Sequence, residues 1–173
     1  MSLSVERLSS STNNGRDPIV LLSGWGFDSR AMAPLAQALQ PLADVWLVDL
    51  PGFGGSSPLL AWRCEQVLEQ LASVLPNNCQ LIGWSLGGML ALAYAQRYPT
   101  RVSGLVTLGS NGCFVAQPSW PDAMAPAAPC PTRQNRSQSS AAGPCVNSGL
   151  LSARKDSVPG THIFKVSAQG RVV

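Results

Sequence analysis

Four short apolar runs, separated by helix-like stretches, constrain the possible fold of this chain more than any other feature. The runs lie at residues 19–24, 45–50, 80–85 and 103–110. Continuous apolar runs of this length are typical of strands buried on both faces, as in a parallel sheet. The helix-like stretches between them lie at residues 29–39, 62–75 and 86–98. This alternation predicts βαβ units and a sheet covered by helices on both sides.

Local signals support the three helical stretches. Ser29 is a candidate N-cap for the first stretch, and Pro99 ends the third. In the second stretch, spacings of three and four residues place five apolar side chains on one face, namely those of Val67, Leu68, Leu71, Val74 and Leu75. One amphipathic face of this kind indicates a helix that packs against the sheet.

The regular pattern stops near Trp120, and beyond Ala128 no run keeps a helical or strand period for more than a few residues. Residues 1–127 contain six Arg, no Lys and eight acidic residues (net −2), whereas residues 128–173 contain six Lys plus Arg and one acidic residue (net +5). We therefore divide the chain into an N-terminal segment (1–17), a main domain (18–127) and a Ser-, Pro- and Gly-rich basic tail that we expect to be disordered. The simultaneous change in periodicity, charge and composition favours a shift of reading frame near codon 128, and hence a truncated domain.

Global composition excludes several classes of protein. The chain is 45% hydrophobic and 12% charged, against a charged share of about 25% in typical domains. This composition argues against a disordered protein and against a protein that binds nucleic acid through a charged tail. No run approaches the ~18 apolar residues of a membrane span, and the N-terminus has no apolar leader segment. The five Cys show no CxxC motif or metal-ligand spacing, so we expect a reduced, cytoplasmic protein without metal or organic cofactor.

The most specific motif is Gly83-Trp84-Ser85-Leu86-Gly87-Gly88. It lies between an apolar strand and an apolar helix, which is the context that a GxSxG nucleophile elbow requires. Gly83 and Gly87 lack Cβ atoms and would let strand and helix approach each other. The pattern predicts Ser85 as a nucleophile at the positive end of a helix.

A second motif, Ser23-Gly24-Trp25-Gly26, follows the first apolar run. An oxyanion hole needs two backbone N–H groups directed at the developing negative charge. One comes from the residue after the nucleophile, here Leu86, and the other from the loop after this strand. Trp25 is the candidate for the second donor.

Asp49 begins the segment Asp49-Leu50-Pro51-Gly52-Phe53-Gly54-Gly55-Ser56. Its position directly after an apolar run suggests a catalytic acid, but it precedes the nucleophile. In a GxSxG hydrolase the chain order is Ser, then acid, then His. We interpret Asp49 as a structural residue that forms hydrogen bonds within a turn.

Together, the segments SGWG, VDLPGFGGS, GWSLGG and RVSGLVTLGSNGCF resemble the α/β-hydrolases over residues 18–127. Within that family they are most similar to the pimeloyl-(acyl-carrier protein) methyl ester esterases of biotin synthesis. The resemblance implies a three-layer α/β/α fold with a mostly parallel sheet, here truncated after about the fourth strand. It also implies a serine carboxylesterase acting on a small-molecule or carrier-protein-bound ester. Ser23 stands where these esterases usually have His, which predicts altered hydrogen bonds in the loop.

The same resemblance places the family's cap, catalytic Asp and catalytic His after residue 127. Asp122 lies too far beyond the fourth strand to serve as the acid. Asp156 and the single histidine, His162, are separated by only five residues and lack the expected strand context. We therefore expect no working base, no activity as written, and an unpaired edge at the fourth strand that promotes self-association.

Two alternatives remain open. The chain could be a non-catalytic hydrolase-like module, or it could have another α/β-hydrolase activity such as that of a thioesterase, lactonase or lipase.

Overall fold

A computed structural model describes residues 2–12 and 15–110, together with the backbone of residues 161–165. The strands are β1 (Val5–Leu8), β2 (Ile19–Leu22), β3 (Val45–Val48), β4 (Cys79–Trp84), β5 (Val102–Leu108) and β6 (Thr161–Lys165). The helices are α1 (Ala33–Leu39), α2 (Cys64–Val74) and α3 (Leu86–Arg97), with 3-10 turns at Ser29–Met32 and Pro99–Arg101.

The six strands form one mostly parallel sheet in the order β1-β3-β2-β4-β5-β6. The four strands from β2 to β5 are parallel to their neighbours, whereas β1 and β6 pair antiparallel at the two ends. The four predicted strands are confirmed, each ending near the predicted boundary. A mostly parallel sheet is typical of the α/β class, as the continuous apolar runs predict.

Two apolar cores lie on opposite faces of the sheet, which gives the predicted three layers. On one face α1 packs over a core that includes Ile19, Leu21, Val45 and Leu47. On the other face α2 and α3 pack over a larger core formed by Val20, Leu22, Val48, Val67, Leu71, Leu81, Leu90, Tyr94 and Leu105. Because β2 sends alternate side chains into both cores, its four residues are all buried, which explains its uninterrupted apolar sequence.

Three features differ from the predictions. Asp28, not Ser29, caps the turn before α1: its side chain accepts a hydrogen bond from Arg30 N–H. β1 lies in the N-terminal segment, where no strand was predicted, because its sequence Val-Glu-Arg-Leu lacks an apolar run. β6 lies in the segment expected to be disordered and pairs with β5 from Gly104–Lys165 to Leu108–Thr161, so the edge of β5 that was expected to be open is paired.

Arg101 joins the end of α2 to the start of β5. Its guanidinium donates hydrogen bonds to the carbonyl oxygens of Ala72 and Leu75, both at 2.8 Å. The end of an α-helix leaves its last carbonyl groups without partners inside the helix. A planar group with several fixed donors can satisfy two of them at once, which a single ammonium group cannot do equally well.

Replacing Arg101 by Lys should therefore weaken the fold. We expect R101K to lower the free energy of unfolding by about 1.5 kcal/mol, the value of one hydrogen bond to a charged group. Urea unfolding measures this difference. Arg63→Lys is the matched control, since Arg63 is exposed and makes no side-chain hydrogen bond within the described residues. Equal midpoints for the two variants would contradict this role for Arg101.

None of the helices that the structure describes is long and apolar enough to cross a membrane.

Candidate active site

Ser85 occupies a sharp turn between β4 and α3. Its backbone angles are φ 52° and ψ −116°, a combination that residues with a side chain rarely adopt. The turn is held from the neighbouring strand, because Ser85 N–H donates a hydrogen bond to the carbonyl oxygen of Leu108 at 2.9 Å. The chain thus passes from strand β4 to helix α3 at Ser85, the residue that the sequence predicts as a nucleophile.

Gly83 and Gly87 lie where three backbone segments meet. A Cβ atom on Gly83 would overlap the backbone of Gly87 and Gly88 at the start of α3. A Cβ atom on Gly87 would overlap the carbonyl groups of Leu22 and Ser23 at the end of β2. No flexible side chain could move aside to relieve either overlap, so the elbow requires glycine at both positions.

This geometry predicts different costs for two strand glycines. A Cβ atom on Gly104 of β5 would lie 3.6 Å from Gln80 Cγ, an ordinary contact. We expect Gly83→Ala to lower the free energy of unfolding by about 3 kcal/mol or more, because overpacking against backbone cannot relax. Gly104→Ala should change it by less than about 0.5 kcal/mol. Urea unfolding of the two variants measures this difference. An unchanged free energy of unfolding in Gly83→Ala would contradict the close contact between β4 and the start of α3.

The loop after β2 lies directly beside Ser85. A Cβ atom on Gly24 would lie 3.4 Å from Ser85 Cβ. The loop is closed by two hydrogen bonds: Phe27 N–H donates to Gly24 O at 3.2 Å, and the buried Ser23 hydroxyl donates to Phe27 O at 3.0 Å. The Ser23 hydroxyl therefore links the start of this loop to its end.

Two backbone N–H groups near Ser85 have no acceptor within the part of the chain that the structure describes. They belong to Trp25 in this loop and to Leu86, the first residue of α3. The first N–H groups of a helix lack partners inside it and carry its positive partial charge. Both donors are therefore unpaired within the described residues.

An aromatic cluster covers the approach to this loop. The Trp25 ring is 62% exposed and meets the rings of Phe53 and Trp62 edge-on, with centroid distances of 5.4 and 5.7 Å. Phe27, half exposed, packs on Trp84 at 4.8 Å. Edge-to-face contacts of this kind hold aromatic rings in place, so an apolar surface lies next to the serine.

The two described cysteines are poor alternative nucleophiles. Burial raises the pKa of the Cys64 and Cys79 thiols to about 11. The reactive form of a cysteine is the thiolate. Both side chains therefore stay protonated at neutral pH.

Asp49 is a structural residue, as predicted. One carboxylate oxygen accepts a hydrogen bond from Ser29 N–H at 2.7 Å, and the other accepts one from Gly55 N–H at 2.9 Å. Its backbone carbonyl accepts a hydrogen bond from the Ser56 hydroxyl at 2.6 Å. The buried carboxylate thereby joins the segment that follows the Trp25 loop to the turn after β3.

Asp49→Asn should loosen this junction. An amide offers one oxygen and one NH2 group, so one of the two backbone donors would face another donor. We expect a loss of about 2 kcal/mol in the free energy of unfolding, the cost of an unsatisfied buried group. Asp17→Asn is the control, because Asp17 is more exposed and, among the described residues, its side chain accepts a hydrogen bond from the Asn78 side chain alone. Equal stability of D49N and D17N in urea unfolding would contradict the assignment.

The structure does not place any of the remaining acid or base candidates beside Ser85 within the residues that it describes. Asp122 and Asp156 lie outside the described residues. The backbone of His162 lies in β6, opposite Thr107 of β5. Sequence reasoning also missed one contact: the Ser110 hydroxyl donates to Ser85 O at 2.7 Å. The one sequence signal for that contact is that Ser110 ends the apolar run at residues 103–110.

The sequence is similar to a known family and to named proteins of biotin synthesis. Residues 17–141 match the family model described as alpha/beta hydrolase fold. Over 111 residues the chain is 47% identical to the biotin biosynthesis bifunctional protein BioHC of Cellvibrio japonicus, covering 64% of this chain and 22% of that protein. Over 125 residues it is 42% identical to the pimeloyl-(acyl-carrier protein) methyl ester esterase of Aeromonas hydrophila, covering 70% and 46%.

Solved structures show the same fold. An esterase from Exiguobacterium antarcticum superposes with a TM-score of 0.61 at 24% identity, covering 71% of this chain and 47% of that one. A probable hydrolytic enzyme from Pseudomonas aeruginosa superposes with a TM-score of 0.59 at 27% identity, covering 64% and 37%. The chain thus spans less than half the length of each of these four proteins.

Proposed function

Because this chain belongs to the alpha/beta hydrolase fold family, we propose that it provides the nucleophile and oxyanion-binding groups of a serine carboxylic ester hydrolase. Ser85 is the nucleophile, and the N–H groups of Trp25 and Leu86 are the oxyanion donors. The observation that carries the proposal is the strained backbone of Ser85 beside two backbone donors without acceptors among the described residues. Strain of this kind persists where surrounding structure enforces it, and it concentrates at functional sites.

The proposed reaction is acyl transfer through a covalent intermediate. Ser85 Oγ forms a bond to the ester carbonyl carbon and releases its proton to solvent water, and the carbonyl oxygen becomes an oxyanion that accepts hydrogen bonds from the two N–H groups. Collapse of this intermediate breaks the bond to the alkoxide, which leaves as the alcohol after taking a proton from solvent. Water then attacks the acyl-enzyme, releases the acid and restores the Ser85 hydroxyl.

Proton transfer is the step that the described residues do not supply. The only histidine of the chain is His162, and no described residue is placed as its equivalent beside Ser85. Without an assisting base, the oxyanion hole and substrate binding alone retain about 10³–10⁴-fold catalysis over water in serine hydrolases. We therefore expect Ser85 to be acylated by reactive reagents much faster than the chain turns over ordinary esters.

The relatives suggest a substrate. The protein from Aeromonas hydrophila is named for a methyl ester of a pimeloyl group on acyl-carrier protein, and we propose an acyl ester of this class for this chain. The exposed aromatic surface around Trp25 supports an apolar acyl chain beside the serine. The free thiols of Cys64 and Cys79 support a reducing, cytoplasmic location.

A fluorophosphonate probe tests the proposal, because this reactive reagent bonds to a serine hydroxyl and its phosphonyl oxygen can accept hydrogen bonds from the two oxyanion donors. We expect one phosphonyl group per chain, located at Ser85 by peptide mass spectrometry, and none on Ser85→Ala. Ser103→Ala is the matched control, since the Ser103 hydroxyl is buried away from any partner among the described residues. Folded protein that stays unlabelled at Ser85 would overturn the proposal and favour a non-catalytic module.

A further inference from the structure

We propose that Ser110 is a positioning residue that fixes the direction of the Leu86 N–H group. This inference rests on the proposed function, in which that N–H group binds the oxyanion. Ser110 follows β5, is 7% exposed, and donates its hydroxyl hydrogen to Ser85 O at 2.7 Å. It lies 25 residues from the serine whose backbone it contacts.

The planar peptide bond links the Ser110 hydrogen bond at Ser85 O to the orientation of the Leu86 N–H group. The Ser85 carbonyl and the Leu86 N–H group belong to one rigid peptide unit and point in opposite directions. A group that holds the carbonyl oxygen therefore also sets the direction in which the N–H group points. The Ser85 oxygen accepts three hydrogen bonds, from the Ser110 hydroxyl and from the N–H groups of Gly88 at 3.0 Å and Met89 at 3.2 Å.

The helix donors and Ser110 hold this peptide from different directions. The N–H groups of Gly88 and Met89 approach the oxygen from α3 and form the first turn of that helix. Ser110 follows the neighbouring strand β5, so its hydroxyl restrains the peptide from outside the helix.

The surrounding residues make room for the Ser110 hydroxyl. A Cβ atom on Gly88 would overlap Ser110 Oγ, so the helix needs glycine there to admit the hydroxyl. Gly109 has φ 55°, a left-handed conformation that turns the chain at the end of β5. Leu108 O accepts both Ser85 N–H at 2.9 Å and, more weakly, the Ser110 hydroxyl at 3.3 Å. The end of β5 therefore holds Ser85 on both sides, at its N–H and at its carbonyl.

Ser110→Ala tests this inference, with Ser103→Ala as the matched control. We expect S110A to slow phosphonylation of Ser85 by roughly tenfold, less than the 10²–10³ loss caused by removing an oxyanion donor outright. We also expect the Leu86 N–H residual dipolar coupling, measured by NMR on the full chain, to change in S110A and stay constant in S103A. The melting temperature monitors any general loss of structure.

The outcomes separate the inference from the proposed function. A normal labelling rate in S110A with an unchanged Leu86 coupling would overturn the role of Ser110 while leaving Ser85 as the nucleophile. Absence of labelling in the folded parent chain would overturn the proposed function, and the coupling alone would then decide whether Ser110 orients the peptide. If S110A fails to fold, Ser110→Cys takes its place: its weaker donor should give a smaller change of the same sign in both measurements, and no change would contradict the inference.

Discussion

The close approach of three backbones at the elbow is the constraint on which the rest of the structure depends. The end of β4, the start of α3 and the end of β2 meet at Gly83 and Gly87, where no Cβ atom can be accommodated. This contact places the start of α3 and the loop after β2 on either side of Ser85. The positive φ of Ser85 lies at this point of close approach.

The groups around Ser85 are fixed by hydrogen bonds that exist before any substrate binds. The loop with Trp25 is closed by Ser23, and the segment after it is held to the turn after β3 by Asp49. On the other side, Leu108 and Ser110 hold the backbone of Ser85. Donors that need no rearrangement stabilise a developing charge most effectively, so this scaffold is consistent with the orienting role that we propose for it.

The sequence predicts most of this architecture but not its long-range contacts. The buried strands were predictable because burial on both faces imposes continuous apolar runs, and the elbow because strand, glycines and helix follow one another in the chain. β1 was not predictable, because both of its central residues, Glu6 and Arg7, are exposed on opposite faces, so this edge strand carries no apolar pattern. The contact from Ser110 to Ser85 spans 25 residues and depends on how β5 ends beside β4, which no local pattern encodes.

The central claim is that Ser85 and the N–H groups of Trp25 and Leu86 act on one reacting centre. A crystal structure of the chain after reaction with a phosphonate ester tests it most directly, because the bound phosphonyl oxygen occupies the position of an oxyanion. The account predicts phosphorus bonded to Ser85 Oγ and its oxygen within about 2.7–3.1 Å of both nitrogen atoms. A phosphonyl oxygen directed away from either N–H group, or an adduct on another residue, would contradict it.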